Sequence, residues 1–219
     1  MGWVTYGRAV ARAKALALIL SMASPLSAMA QTEVLALGDS LTQGYGLVAD
    51  QGFVPQLQAF LDAEGLDVRV INGGVSGDTT AGGLSRVEWS LTPDTKAMIV
   101  ALGGNDLLRG LPPEMSHANL EGILKIAADK GLDVLLVGME APGNYGPEFK
   151  ATFDALYPEL AEAYGVHFAP SFFEGLQDEG DTIADITAFM QPDGIHPNAE
   201  GVRRIVEGLG PRVAAMLAE

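Results

Sequence analysis

Cysteine is missing from all 219 residues, and its absence removes disulfides, thiolate metal sites and a cysteine nucleophile together. Histidine is nearly as scarce, with only His117, His167 and His196, so imidazole chemistry has few candidates. No His-Glu-x-x-His or similar zinc pattern is present. The acid-rich stretch Asp178, Glu179, Asp181 and Asp185 does not follow EF-hand ligand spacing and reads as a solvated loop. No metal or other cofactor is therefore expected. Basic residues are also few: 13 Lys and Arg stand against 28 Asp and Glu, a formal net charge of −15. Such a surface repels phosphate backbones and anionic headgroups, which argues against a nucleic-acid partner.

A long apolar run is lacking too. Near the N-terminus, Arg8, Arg12 and Lys14 precede Ala15 to Leu20 and then Ser27-Ala28-Met29-Ala30. That pattern predicts a secretory signal peptide over 1–30, cleaved after Ala30. The apolar segment is well short of the roughly 20 residues needed to cross a bilayer, so a stable membrane anchor is not expected. Arg8 and Arg12 are separated, so a twin-arginine signal is not indicated. Cleavage would leave 189 residues from Gln31 with 10 basic and 28 acidic side chains, a net charge of −18. The expected location is periplasmic or secreted, and the expected state is a monomer. With no linker or charge run to divide it, 31–219 reads as one domain large enough to bury a core.

Apolar runs of strand length recur at Val34 to Leu37, Val68 to Ile71, Met98 to Leu102, Val134 to Met139 and Val166 to Ala169. Helical patterns lie between them at Phe53 to Glu64, Thr80 to Trp89, Asn119 to Lys130, Pro147 to Tyr164 and Ala199 to Leu217. Gly65, Gly131 and Gly165 are placed to terminate helices. This alternation means parallel βαβ units. Strands that are apolar without alternation are covered on both faces, and a three-layer αβα sandwich of class α/β follows.

Two blocks carry the chemistry. Gly38-Asp39-Ser40-Leu41 follows the first run, and Asp193-Gly194-Ile195-His196-Pro197-Asn198 precedes the last helix. A serine hydroxyl is a poor nucleophile at neutral pH; it needs a base within hydrogen-bond reach and a third group to fix the base's tautomer. Ser40, His196 and Asp193 can fill those roles. Residues three apart across a glycine turn can present both side chains on one side, so one short loop would supply both base and orienter. Ser40 also sits where a parallel sheet gathers its chemistry, at the carboxyl end of a strand. His117 reads instead as a solvated residue at a helix entry, and His167 as a structural residue at the start of the fifth strand. Ser76 is the rival serine, but Asp78 stands where the Gly-x-Ser-x-Gly elbow needs a second glycine.

Asn72-Gly73-Gly74-Val75-Ser76-Gly77-Asp78-Thr79 and Leu102-Gly103-Gly104-Asn105-Asp106 lie between those blocks, each after a strand-like run. With these four ordered blocks, nearly all of the chain after residue 30 resembles the SGNH (GDSL) hydrolase family. It looks most like the bacterial periplasmic thioesterase I, lysophospholipase and arylesterase group, on Gly-Gly-Asn-Asp, Asn144-Tyr145-Gly146 and Asp-Gly-Ile-His-Pro-Asn. The resemblance implies a flavodoxin-like five-stranded sheet with Ser40 as nucleophile and Asp193 and His196 completing a catalytic triad. It also implies an oxyanion hole formed by the Ser40 amide, Gly77 and Asn105. The residue types suit those roles, because a glycine lets its backbone N–H approach an oxyanion closely and an asparagine adds an amide donor. Asp39, Asp78 and Asp106 read as loop-fixing carboxylates beside glycine turns.

The reaction so implied is hydrolysis of acyl esters or thioesters, including lysophospholipids, through an acyl-enzyme. Leu107, Leu108, Leu111, Tyr145 and Ile195 are the candidate substrate-binding residues, because apolar side chains at cleft loops suit an acyl chain. A polysaccharide deacetylase from the same family would want exposed aromatics, and Trp89 is the only tryptophan after residue 30. A flavodoxin-like anion-binding protein without catalysis is a further alternative. It would have to bind at a loop that contains Asp39, holds no basic residue and lacks the Walker Gly-Lys-Ser/Thr.

Overall fold

In a computed structural model, residues 1–3, 31–176 and 186–218 are described. Most of the expected signal peptide and the whole acid-rich stretch from Asp178 to Asp185 lie outside the described residues.

The five apolar runs form β1 (Thr32–Gly38), β2 (Val68–Gly74), β3 (Thr95–Ala101), β4 (Asp133–Val137) and β5 (His167–Ala169). All are parallel, in the order β2-β1-β3-β4-β5, which is the flavodoxin-like order. The helices are α1 (Ser40–Gln43), α2 (Phe53–Ala63), α3 (Thr80–Ser90), α4 (Gly104–Leu108), α5 (Pro113–Asp129), α6 (Pro147–Tyr164) and α7 (Ala199–Leu217).

Strands β1, β3 and β4 bury both faces, which explains why their runs do not alternate, while the edge strand β2 exposes Arg69 and Asn72. Val34, Ala36, Ala97, Ile99, Leu135 and Val137 pack with Leu57 and Leu61 of α2 and with Ile205, Leu209 and Val213 of α7. The intervening residues Leu35, Leu37, Met98, Val100 and Leu136 pack on the other side with Val87 of α3, Leu120 and Ile123 of α5, and Phe153 and Leu156 of α6.

The boundaries differ from the expected ones where local chemistry was underweighted. Helix α5 begins at Pro113, not Asn119, because a proline's fixed φ and missing N–H suit the first helical position. His117 is therefore half-buried inside α5 and is not a residue of its entry. Strand β2 runs on through Asn72-Gly73-Gly74, paired with Ala36, Leu37 and Gly38 of β1, whereas β4 stops at Val137, two residues before Met139. Gly65, Gly131 and Gly165 do terminate helices, with φ of +78°, +65° and +62°.

The carboxyl ends of β1, β2 and β3 lie side by side and are tied together by side chains. Arg86 of α3 donates to the Gly73 carbonyl at 2.7 Å, the Gly38 carbonyl at 2.8 Å and Asp78 Oδ2 at 2.7 Å. Buried Asp106 accepts from the Thr80 amide at 2.9 Å and from the hydroxyls of Thr80 and Ser116 at 2.6 and 3.0 Å. The buried Tyr157 hydroxyl donates to the Leu102 carbonyl at 2.9 Å, holding the end of β3.

Helix α1 lies on the ends of β1 and β2 at a distance that only glycine permits. A Cβ at Gly74 would come within 2.3 Å of the Gln43 backbone nitrogen, and one at Gly38 within 2.0 Å of Thr42 Oγ1. The obstacle at Gly74 is backbone and cannot rotate away. Gly74→Ala should cost about 1–3 kcal/mol in urea unfolding, the range for overpacking a site that cannot yield. An unchanged unfolding midpoint would show that α1 does not rest on Gly74.

Candidate active site

The turn after β1 presents Ser40 as the first residue of α1. Asp39 is the N-cap; its Oδ1 accepts from the Leu41 amide at 3.0 Å. The first helical N–H has no partner within its own helix, so the Ser40 amide is free to serve a ligand while its side chain faces the cleft. Gly44, at φ +86°, ends the helix after one turn.

The block before α7 is held just as closely. Gln191 N–H donates to the His196 carbonyl at 2.7 Å, Asn198 N–H donates to the Phe189 carbonyl at 2.8 Å, and Gly194 turns at φ +68°. Asn198 caps α7, its Oδ1 accepting from the Gly201 amide at 3.0 Å. Within this turn Asp193 Oδ1 accepts from the Ile195 and His196 amides, both at 3.0 Å, and Asp193 Oδ2 lies 2.7 Å from His196 Nδ1. Across the cleft, His196 Nε2 is 2.9 Å from Ser40 Oγ. Carboxylate, imidazole and hydroxyl therefore form one continuous hydrogen-bonded chain. An acceptor-only carboxylate at Nδ1 puts the ring proton on that nitrogen and leaves Nε2 to accept from the serine.

Two more donors converge on the same end of the sheet. Gly77 follows β2 in a turn closed by Asp78 N–H to the Val75 carbonyl at 3.0 Å; its φ of +80° requires glycine, and its carbonyl accepts from Arg109 Nη2 at 2.7 Å. Asn105 lies in the first turn of α4, half-buried, with Nδ2 donating to Asp39 Oδ2 at 3.1 Å. Ser76 also borders the cleft, and its hydroxyl bonds the Gln43 side chain.

A cleft of about 1050 Å³ opens over Ser40, Gly77, Asn105 and His196. Four of the five expected substrate-binding residues border it: Leu107, Leu108, Tyr145 and Ile195. Leu107 is at the same time a member of the core. Leu111 is outside the lining: Gly110 adopts φ +61°, the Leu111 amide bonds back to the Asp106 carbonyl at 2.9 Å, and this turn carries the chain away from the cleft. The sequence pattern overlooked Met139, Phe173, Leu176, Ile186 and Met190, which also border the cleft. It overlooked Tyr45 as well, whose ring packs against the His196 ring with centroids 4.7 Å apart. The Tyr45 carbonyl accepts from Gln191 Nε2 at 2.8 Å, so Gln191 joins the serine side of the cleft to the histidine loop.

A parallel αβα sheet with a Ser-His-Asp hydrogen-bonded chain at its carboxyl edge defines a serine-hydrolase type of site on a fold without the nucleophile elbow. The chain belongs to the GDSL-like lipase/acylhydrolase family, whose model matches residues 36–204. It is 39% identical over 191 residues to esterase TesA of Pseudomonas aeruginosa, covering 87% of this chain and 91% of that protein. It is 32% identical to thioesterase 1/protease 1/lysophospholipase L1 of Escherichia coli K12, covering 87% of each. Among solved structures, AlinE4, an SGNH-hydrolase family esterase, superposes with a TM-score of 0.68 at 41% identity, covering 84% of this chain and 96% of that one.

Asp193 is held down to a pKa of about 2, first by the two backbone amides that bond it and then by the His196 side chain. A lowered carboxylate stabilises the fold above its unfolded pKa, near 3.9, and loses that contribution as pH falls toward its folded value. Carbon-13 NMR should accordingly place the Asp193 midpoint near 2, so that any loss of activity above about pH 3 belongs to other groups. A midpoint near 3.9 would mean that the two amide bonds do not hold in solution.

Proposed function

We propose that this protein is a carboxylic ester hydrolase that acts on acyl esters and thioesters through an acyl-enzyme formed on Ser40. The observation that carries the reading is the unbroken chain from Asp193 through His196 to Ser40. Attack of Ser40 Oγ on the substrate carbonyl transfers the hydroxyl proton to His196 Nε2, and ionised Asp193 stabilises the imidazolium so formed. The carbonyl oxygen becomes an oxyanion, which the Ser40 and Gly77 amides and Asn105 Nδ2 stabilise. His196 returns the proton to the departing alcohol or thiol, and water repeats the sequence on the acyl-enzyme to release the acid.

An acyl chain is the natural occupant of the cleft. Leu107, Leu108, Met139, Phe173 and Ile195 give it apolar walls, and each methylene buried there contributes about 0.8 kcal/mol. Glu140 and Glu174 also border the cleft, and no Lys or Arg does so among the described residues. Together with the acidic surface, this favours neutral leaving groups over polyanionic ones. The curated relatives named as esterase and as thioesterase and lysophospholipase support the reaction class. The basic, apolar and small-residue pattern before Gln31 supports export to the periplasm or beyond, and none of the described helices is long and apolar enough to cross a membrane.

The test is a panel of esters with acyl chains from acetyl to dodecanoyl. Efficiency should rise about fourfold per methylene until the apolar walls are filled, following the free energy per methylene, and Leu108→Asp should flatten that profile more than it lowers acetyl turnover. Ser40→Ala and His196→Ala should each abolish turnover with folding kept, and Ser76→Ala should leave it within about twofold of wild type. Preference for acetylated oligosaccharides over every medium-chain ester would overturn the substrate class. Retained turnover in Ser40→Ala would overturn the nucleophile.

A further inference from the structure

The mechanism leaves Asp39 unused, although it lies beside the serine and is 3% exposed. Burial is the largest influence on it and raises its pKa, against the lowering effect of bonds from Leu41 and Asn105. A raised carboxylate pKa has a definite sign: ionised Asp39 costs the fold stability, and that cost grows as pH rises through its folded value. A cap for α1 does not need this charge, since serine, threonine or asparagine caps a helix as well. The carboxylate must therefore serve something that a neutral cap would not.

Its second oxygen shows what that is. Asp39 Oδ1 is occupied by the Leu41 amide, while Oδ2 accepts from Asn105 Nδ2 at 3.1 Å. A carboxamide presents either its NH2 or its oxygen to a neighbour, and the two ends are nearly identical in shape. An ionised carboxylate only accepts, so it permits one orientation. One Nδ2 hydrogen goes to Asp39 and the other is left for the cleft.

We propose that Asp39 is the positioning residue of the oxyanion hole, setting which end of the Asn105 carboxamide faces the substrate carbonyl. This rests on the assignment of Asn105 as an oxyanion donor. A neutral amide at position 39 would keep the Oδ1 acceptor for Leu41 but set a donor against the Asn105 NH2. The conflict is relieved when the Asn105 carboxamide turns over, and the turned group offers its oxygen to the oxyanion. The same substitution removes the buried charge, which offsets the weaker bonds that a neutral amide makes there. Activity falls while stability does not.

The experiment is a double-mutant cycle read by kcat, KM and thermal unfolding. Asn105→Ala should lower kcat by on the order of 10² to 10³ with little change in KM, as loss of one oxyanion donor does. Asp39→Asn should lower kcat by on the order of 10-fold or more with KM within about twofold and with an unfolding midpoint equal to or above that of wild type. Asp39→Ser, which keeps a cap but loses the bond to Asn105, should lower kcat in the same way. In the Asn105→Ala background, Asp39→Asn should change kcat by less than about twofold, because residues acting through one group are not additive.

Multiplying losses in the double variant would overturn the proposal, as would unchanged kcat in Asp39→Asn beside a low kcat in Asn105→Ala. Both Asp39 variants failing to fold would also overturn it, by making the carboxylate structural. Unchanged kcat in Asn105→Ala is a different failure: it removes Asn105 from the oxyanion hole and the role of Asp39 with it.

Discussion

The 2.9 Å approach of His196 Nε2 to Ser40 Oγ joins residues 156 positions apart, and much of the molecule is arranged to hold those two atoms there. A misplacement of about 1 Å would cost orders of magnitude in rate, so each side needs a rigid mount. On the serine side, α1 rests directly on Gly38 and Gly74, with Arg86 binding the two strand ends beneath it. On the histidine side, the loop is pinned to the start of α7 by Asn198, whose Nδ2 also reaches the Ala188 carbonyl at 2.9 Å. Gln191 spans the gap, bonding the Tyr45 carbonyl at 2.8 Å and the Pro197 carbonyl at 3.0 Å. On both sides position is supplied largely by side chains bonded to backbone carbonyls.

Carboxylates do contrasting work around this site. Asp193 is exposed yet strongly acidic because two amides and a histidine face it, so its charge is available throughout the working range. Asp39 is buried and pushed the other way, so a charge on it comes at a cost. Asp106 is buried too, but three donors surround it, and it works as a staple between α3, α4 and α5. Their hydrogen-bond partners separate the three roles; residue type alone does not.

Much of this was legible in the chain itself. Five apolar runs, the absence of alternation and three helix-ending glycines were enough for the αβα layers, and the four glycine-rich blocks marked the strand ends where the site assembles. The helix starting at Pro113 extends six residues ahead of its apolar pattern because Pro113, Glu114, Ser116 and His117 in its first turns interrupt that pattern; Ser116 turned inward to Asp106 has no signature in sequence. Leu111 looked like cleft wall because it follows Asn105 together with Leu107 and Leu108, apolar residues at a cleft loop, but α4 is only five residues long and Gly110 turns the chain aside. Met139, Phe173, Ile186 and Met190 come from loops distant in sequence, so only the fold brings them to one cleft. Tyr45 and Gln191 escaped for the same reason: their importance lies in a contact between two loops.

A fluorophosphonate carries a phosphorus centre that only an activated serine attacks at useful rates, and peptide mass spectrometry locates the adduct without any knowledge of the natural substrate. The account predicts one adduct per chain on Ser40, formed at a rate that falls by several orders of magnitude in His196→Ala. An adduct on Ser76, or labelling of Ser40 that does not depend on His196, would contradict it.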